Sequence, residues 1–134
     1  MTILTIRTDN PEAEIGLFDG DTELAYIRWQ AHRQLAETLH GKIRDILAAS
    51  SLTLQDVEGI ACYAGPGSFT GLRIGLTVAN SLAYALEVPV AAATGDDWIV
   101  GAISKMQSGQ ASGPAMPEYG AEVHVTLPST SRKP

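Results

Sequence analysis

The chain opens with three short runs dominated by β-branched and apolar residues: Thr2 to Thr8 (TILTIRT), Ala13 to Asp19 (AEIGLFD) and Thr22 to Trp29 (TELAYIRW). Runs of this length and composition fit strands. Asn10-Pro11 separates the first from the second, and Asp19-Gly20 is a dipeptide suited to a tight hairpin, so the pattern predicts an antiparallel meander. From Arg33 to Ser50 the period changes. Leu35, Ala36, Leu39, Ile43, Ile46 and Leu47 recur at intervals of three and four, placing one apolar face on a long helix with a charged, solvated face opposite. Gly41 interrupts that helix at a cost of about 1 kcal/mol relative to alanine, a hint that another element comes close there.

Leu52 to Gly59 reads as a connector with a helical turn, and Ile60 to Ala64 (IACYA) as a short buried strand. A glycine-rich segment follows, Ala64 to Asn80 (AGPGSFTGLRIGLTVAN), opening a helix that starts near Ser68 or Thr70, either of which can cap it, and runs to Leu86. Val88 to Ala93 supplies another strand, and Thr94-Gly95-Asp96 caps a third helix over Asp97 to Met106. The order is βββαβαβα. A meander that continues through right-handed crossovers builds an α/β domain on one mixed five-stranded sheet, the ribonuclease-H-like arrangement also used by each lobe of the actin-like ATPases. The domain is expected over 1–106, followed by a Gly/Ser/Pro-rich linker over 107–120. The tail over 121–134 holds one short strand (AEVHVTLP) and a basic end.

The helix after the glycine loop carries a stripe of small residues spaced by four: Gly71, Gly75, Ala79 and Ala83, flanked by Leu72, Leu76, Leu82 and Leu86. Ile74, Val78 and Ala85 widen the apolar arc to about twice the width of one buried face. One sheet cannot cover that arc. Either the helix from Arg33 to Ser50, with Leu39 and Ile43, covers the rest, or a helix of another chain packs there, since small residues permit close approach. The polar strip of Arg73, Thr77, Asn80, Ser81 and Tyr84 lies opposite, and Arg73, near the positive N-terminal end of its helix, calls for an acid or a partner.

Composition narrows the functions. The 134 residues suit one domain, and 45% hydrophobic with 18% charged residues is ordinary for a folded protein. A formal net charge of −6 argues against nucleic-acid binding by this chain alone, so any link to RNA runs through a partner. The absence of a signal-like N-terminus and of a long apolar span reads as soluble and cytoplasmic, with no membrane contact. Cys62, the single cysteine, lies in an apolar run and is expected to be buried and inert. His32, His40 and His124 are isolated, with no metal-ligand spacing.

A glycine loop before a helix can cradle a phosphate, because the first helical amides lack intrahelical acceptors; the residues placed for an anion are Gly65, Gly67, Ser68 and Thr70. The sequence is not a P-loop, since Gly71 lacks the following Lys-Ser/Thr pair, and it misses the dinucleotide fingerprint by one residue. A nuclease of this fold would need several strand carboxylates to hold metal, yet the first strand carries Arg7 and IACYA carries no acid. Asp9 shares the face of Arg7 by strand alternation and stays in play. No metal, no cofactor and no catalytic residue is expected. The rival reading is a small ATP-binding or ATP-hydrolysing enzyme using the Gly65 to Gly71 loop, which calorimetry with Mg-ATP would separate; a peptidase lacks an arguable nucleophile.

The segment GPGSFTGLRIGL (Gly65 to Leu76), after a short apolar strand and before a small-residue helix, closely resembles the signature of the bacterial TsaB (YeaZ) family. The similarity extends from Thr2 to about Ile103 and includes IGLFDGDTELAYI, IRDILAAS, LTLQDVEGIA and VPVAAATGDDW. The resemblance implies an actin-like protein without its own catalytic site that supports a related subunit, TsaD, which uses ATP and metal to place threonylcarbamoyl on a tRNA adenosine beside the anticodon. It implies that Gly71 to Leu86 and Arg33 to Ser50 form the contact for TsaD or for a homodimer, drawing in Leu39, Ile43, Gly71, Leu72, Arg73, Gly75, Leu76, Ala79, Leu82 and Ala83. A TsaE-type ATPase is a further partner, and tRNA is met only indirectly. Two features depart from the family: Arg7 stands where an Asp is common, and no second lobe follows the third helix, which reads as a natural short form.

Overall fold

The computed structural model describes residues 1–31, 34–109 and 115. Three strands come first, β1 (Thr2–Arg7), β2 (Glu12–Asp19) and β3 (Thr22–Gln30), followed by helix α1 (Leu35–Ala49). A 3-10 turn at Leu54–Asp56 leads to β4 (Gly59–Tyr63), then α2 (Phe69–Leu86), β5 (Val90–Ala93) and α3 (Trp98–Gln107). The sheet has the order β3-β2-β1-β4-β5. β1 pairs antiparallel with β2 and parallel with β4, so the meander and the crossovers meet on β1. The ribonuclease-H-like, actin-like lobe expected from the element order is the fold of these residues.

Strand alternation decides what each face meets. Leu4 and Ile6 of β1 stand beside Leu17 and Ile15 of β2 on one face. That face is covered by α1 and α2: Leu35 of α1 clusters with Ala13 and Ala31, and α2 crosses the end of β1 at Thr8. Ile3, Thr5 and Arg7 take the opposite face, where α3 lies over β4 and β5, with Met106 against Gly59 and Trp98 edge-on to Tyr63 at 5.8 Å. The core is closed by Leu39, Ile43, Ile60 and Leu72, each at most 1% exposed. Burying such a side chain contributes roughly 1.5–3 kcal/mol.

Several boundaries shift for identifiable reasons. Of the two caps offered by the sequence for α2, Ser68 is the one used, its hydroxyl accepting from Gly71 N at 3.4 Å, while Thr70 lies inside the helix. The third helix starts after Asp97 rather than from the Thr94-Gly95-Asp96 cap, and Asp97 makes no side-chain capping bond. Gly41 corrects the expectation of a close neighbour: among the described residues a Cβ there would meet nothing within 4 Å. Arg33, the expected start of the first helix, and the strand expected over 121–128 lie outside the described residues, as does all of 107–120 beyond Gly109 except Ala115.

Candidate functional site

The glycine loop is built against β1. β4 ends at Tyr63, Ala64 N donates to Ala93 O at 2.9 Å, and the chain turns through Gly65 and Pro66 into the cap of α2. From the other side the residues after β1 reach up to meet it. Thr8 Oγ1 donates to Gly71 O at 2.6 Å, and Ser68 N donates to Asp9 O at 3.2 Å. A Cβ on Gly67 would lie 2.5 Å from the Cβ of Asp9.

Asp9 is 8% exposed and is held by Arg7, whose Nε donates to Oδ1 at 2.7 Å and whose second guanidinium nitrogen donates to Oδ2 at 3.2 Å. A fork of this kind satisfies both carboxylate oxygens and compensates a buried charge. The hydrogen bond to Asp9 raises the pKa of Arg7 above its already high value, so the pair is permanently ionic on the arginine side. The guanidinium also stacks 3.9 Å from the centre of the Tyr63 ring, and Tyr63 OH donates to Pro66 O at 2.7 Å, tying the pair into the glycine loop.

This geometry leaves little of the expected anion cradle. A hollow of about 290 Å³ beside the loop is lined by Thr8, Asp9, Asn10, Ser68, Thr70 and Gly71. It brings Ser68 and Thr70 together with a carboxylate, and Gly65 and Gly67 are not part of its wall. The amide of Ser68, one of the donors an anion would use, is already given to Asp9 O. Among the described residues no group of three or more His, Cys, Asp or Glu is placed to hold a metal ion.

The small-residue stripe is explained by the same crossing. A Cβ on Gly71 would collide with the backbone carbonyl of Thr8, and one on Gly75 with the Thr8 hydroxyl, so both glycines serve a close approach between α2 and the end of β1. Leu72, Gly75, Leu76, Ala79 and Ala83 are buried against the sheet, as are Leu39 and Ile43 of α1. The reading of the stripe as an open contact surface is therefore corrected: its narrow side chains face this chain's own sheet, because only they let α2 sit low enough to accept the Thr8 bond. Leu82 is half-buried, and of the residues expected at a contact Arg73 alone is exposed.

A different surface is open. The outer face of α2, with Ala36 of α1 at one side, forms a groove of about 410 Å³ lined by Ala36, Phe69, Thr70, Arg73, Ile74, Thr77 and Val78. Phe69, directly after the cap, is 54% exposed, and Tyr84 near the far end of α2 is 88% exposed. Arg73 lies over Phe69, its guanidinium carbon 5.1 Å from the ring centre. The signal for this groove was present in the sequence, in Ile74 and Val78 widening the apolar arc beyond the stripe.

Two side-chain clusters left no trace in the sequence pattern. On the β2-β3 surface Tyr26 OH donates to Glu14 at 2.6 Å and Arg28 stacks on the Tyr26 ring; burial first, then the bond to Glu14, raises the Tyr26 pKa. On the flank of α2, the Asn80 side chain donates to Ala115 O at 3.0 Å and accepts from Ala115 N at 2.7 Å, seating Ala115 against the core. Cys62 is buried as expected, and burial pushes its thiol pKa up to about 12.

Strand order, the β1-β4 junction and a glycine loop closed on β1 define an actin-like, ribonuclease-H-like lobe with its open surface on the outer side of two helices. A family model described as TsaD, tRNA N6-adenosine threonylcarbamoyltransferase, matches residues 29–100. The chain belongs to this family, within its TsaB (YeaZ) group. It is 37% identical over 93 residues to the tRNA threonylcarbamoyladenosine biosynthesis protein TsaB of Bacillus subtilis, covering 69% of this chain and 40% of that one. The TsaB protein of Escherichia coli is 34% identical over 90 residues, covering 67% and 38%. The solved structure of YeaZ from Pseudomonas aeruginosa superposes with a TM-score of 0.64 at 33% identity, covering 69% of this chain and 43% of that one. The chain thus spans about 40% of the length of the curated relatives it matches.

Proposed function

We propose that this chain is a non-catalytic scaffold in threonylcarbamoylation of tRNA: the outer face of α1 and α2 docks on a TsaD-type threonylcarbamoyltransferase and holds it in a state competent for transfer to the adenosine beside the anticodon. The observation that carries the reading is the open apolar groove between α1 and α2, walled by Phe69, Ile74 and Val78, on a lobe whose glycine loop is latched to β1. Exposed apolar grooves mark contact surfaces, and a helix laid along α2 buries such walls by ridge-in-groove packing. The names of the curated relatives support the pathway. Residues 1–106 form the docking domain. In the absence of the transferase the same face supports a homodimer in the cytoplasm, a TsaE-type ATPase joins through the transferase, and tRNA is met only through the complex.

Light scattering after size exclusion tests this, on the purified chain alone and mixed with the TsaD-type transferase of the same organism. A mixed complex that disappears with Thr77→Trp, which fills the groove from an exposed position, is the expected result. A monomer that ignores the transferase would overturn it.

A further inference from the structure

We propose that Arg73 is the specificity-determining residue of this docking face, and that the groove is occupied by a helix of the transferase that brings a carboxylate to the Arg73 guanidinium. The proposal rests on the docking face just described and adds the chemistry of its occupant. Arg73 is exposed on the second turn of α2, at the wall of the groove. The arginines on the opposite face of the sheet are differently placed: Arg7 is forked onto Asp9, and Arg28 lies 3.8 Å from Glu14. Among the described residues Arg73 has no ion pair, and its contact is the face of Phe69 at 5.1 Å.

An arginine lying on an aromatic ring is held in one orientation while its fork stays available, which suits two-point recognition of a carboxylate. Ala36, Ile74 and Val78 give the wall an apolar part beside the hydroxyls of Thr70 and Thr77, so an ion pair formed there is partly shielded from water once a partner fills the groove. A complementary helix would place one acid among small or apolar side chains three and four positions away. A second copy of this chain can take the same face when the transferase is absent, but it makes the weaker contact. Two-fold contact sets a patch against itself, which brings groove to groove and Arg73 to both sides, without the convex ridge that a groove accepts.

Affinity for the purified TsaD-type transferase of the same organism, measured by titration calorimetry on the full chain, tests the inference with four variants. Arg73→Glu is expected to weaken binding about a hundredfold. Arg73→Lys, which keeps the charge and loses the fork, is expected to weaken it about tenfold or less. Added salt should weaken the wild type and leave Arg73→Gln nearly unmoved. Arg73 is exposed, so Arg73→Glu should melt close to wild type, separating lost binding from lost folding; if it does melt lower, Arg73→Gln supplies the affinity comparison. Wild-type affinity in Arg73→Glu together with loss in Thr77→Trp would overturn the carboxylate and leave the docking face standing. Wild-type affinity in both would overturn the docking face as well. A chain that self-associates through Arg73 and ignores the transferase would overturn the choice of occupant.

Discussion

Replacing Gly71 by alanine asks whether the small-residue stripe serves the fold or a partner. The new methyl group would enter the carbonyl of Thr8, a backbone atom that cannot swing aside as a side chain could, and Thr8 is itself 2% exposed. Overpacking of this kind costs typically about 1–3 kcal/mol, and a backbone obstacle places it at the upper end. If α2 lifts to relieve the clash, the bond from Thr8 Oγ1 to Gly71 O is lost as well, worth about 1 kcal/mol. Alanine returns about 1 kcal/mol of helix propensity. The net expectation is a loss of about 3 kcal/mol, which for a domain of this size lowers the melting temperature by roughly 10–20 °C. Thermal and urea unfolding followed by far-UV circular dichroism measure it. Gly41→Ala is the matched control, since a Cβ there meets open space, and it should gain about 0.5–1 kcal/mol. A Gly71→Ala protein that melts with the wild type yet no longer binds the transferase would refute the packing argument and restore the stripe as a contact surface. The same reasoning makes Gly75→Arg a folding variant rather than a clean interface variant, because its side chain would have to displace Thr8.

Two further outcomes follow from the buried ionisable groups. Stability should be flat up to about pH 9 and fall above it, because Cys62 and Tyr26 keep their protons in the folded state at pH values where the unfolded chain loses them. Both folded pKa values are raised, so the stabilisation is complete below the unfolded pKa and drains as pH climbs toward about 12 for Cys62, at up to about 1.4 kcal/mol per pH unit for Cys62 and less for the half-exposed Tyr26, whose charge solvent screens. Urea midpoints across the alkaline range read this, and native Cys62 should resist a thiol reagent until the chain unfolds. Arg7→Ala leaves the Asp9 carboxylate buried beneath Gly67 without its fork and should cost about 2–3 kcal/mol, reduced from the fully buried case because Arg7 is partly open to water. Removing Asp9 as well should recover most of that loss; a double variant as unstable as the single one would show that Arg7 matters through its stacking on Tyr63 rather than through charge.

The element order and the sheet were legible because each rests on local pattern. Alternating strands, the Asp19-Gly20 turn and the three-four spacing from Leu35 to Leu47 act within a few residues of one another, and the structure keeps all of them. Direction was harder. A stripe of glycine and alanine says that something comes close, and whether that is another protein or this chain depends on Thr8, 63 residues away from Gly71 in sequence. Gly41 shows the converse, an unusual residue in a helix with nothing opposite it among the described residues. The fork between Arg7 and Asp9 was half visible, since alternation put both on one face, but its closure beneath Gly67 needs the third dimension. The Asn80 clamp on Ala115 joins positions 35 apart through side chain and backbone, and no periodicity reports such a contact.

The latch also bears on what the lobe can do. A loop that is to wrap a phosphate must keep its amides free and its approach open. Here Ser68 N is bonded to Asp9 O, Gly71 O receives Thr8, and Gly67 rests on the Asp9 side chain. Admitting an anion would break at least the Ser68 bond beside a carboxylate, at a cost of about 0.5–1.5 kcal/mol before any new contact forms. The same contacts brace the first turns of α2 against β1 and so hold the backbone beneath Phe69 and Arg73 in place. A wall fixed in this way loses little freedom when a partner settles on it. The residue pattern most suggestive of nucleotide chemistry is thus better suited to stiffening the surface on the far side of its own helix, which favours a scaffold over an ATP-using enzyme.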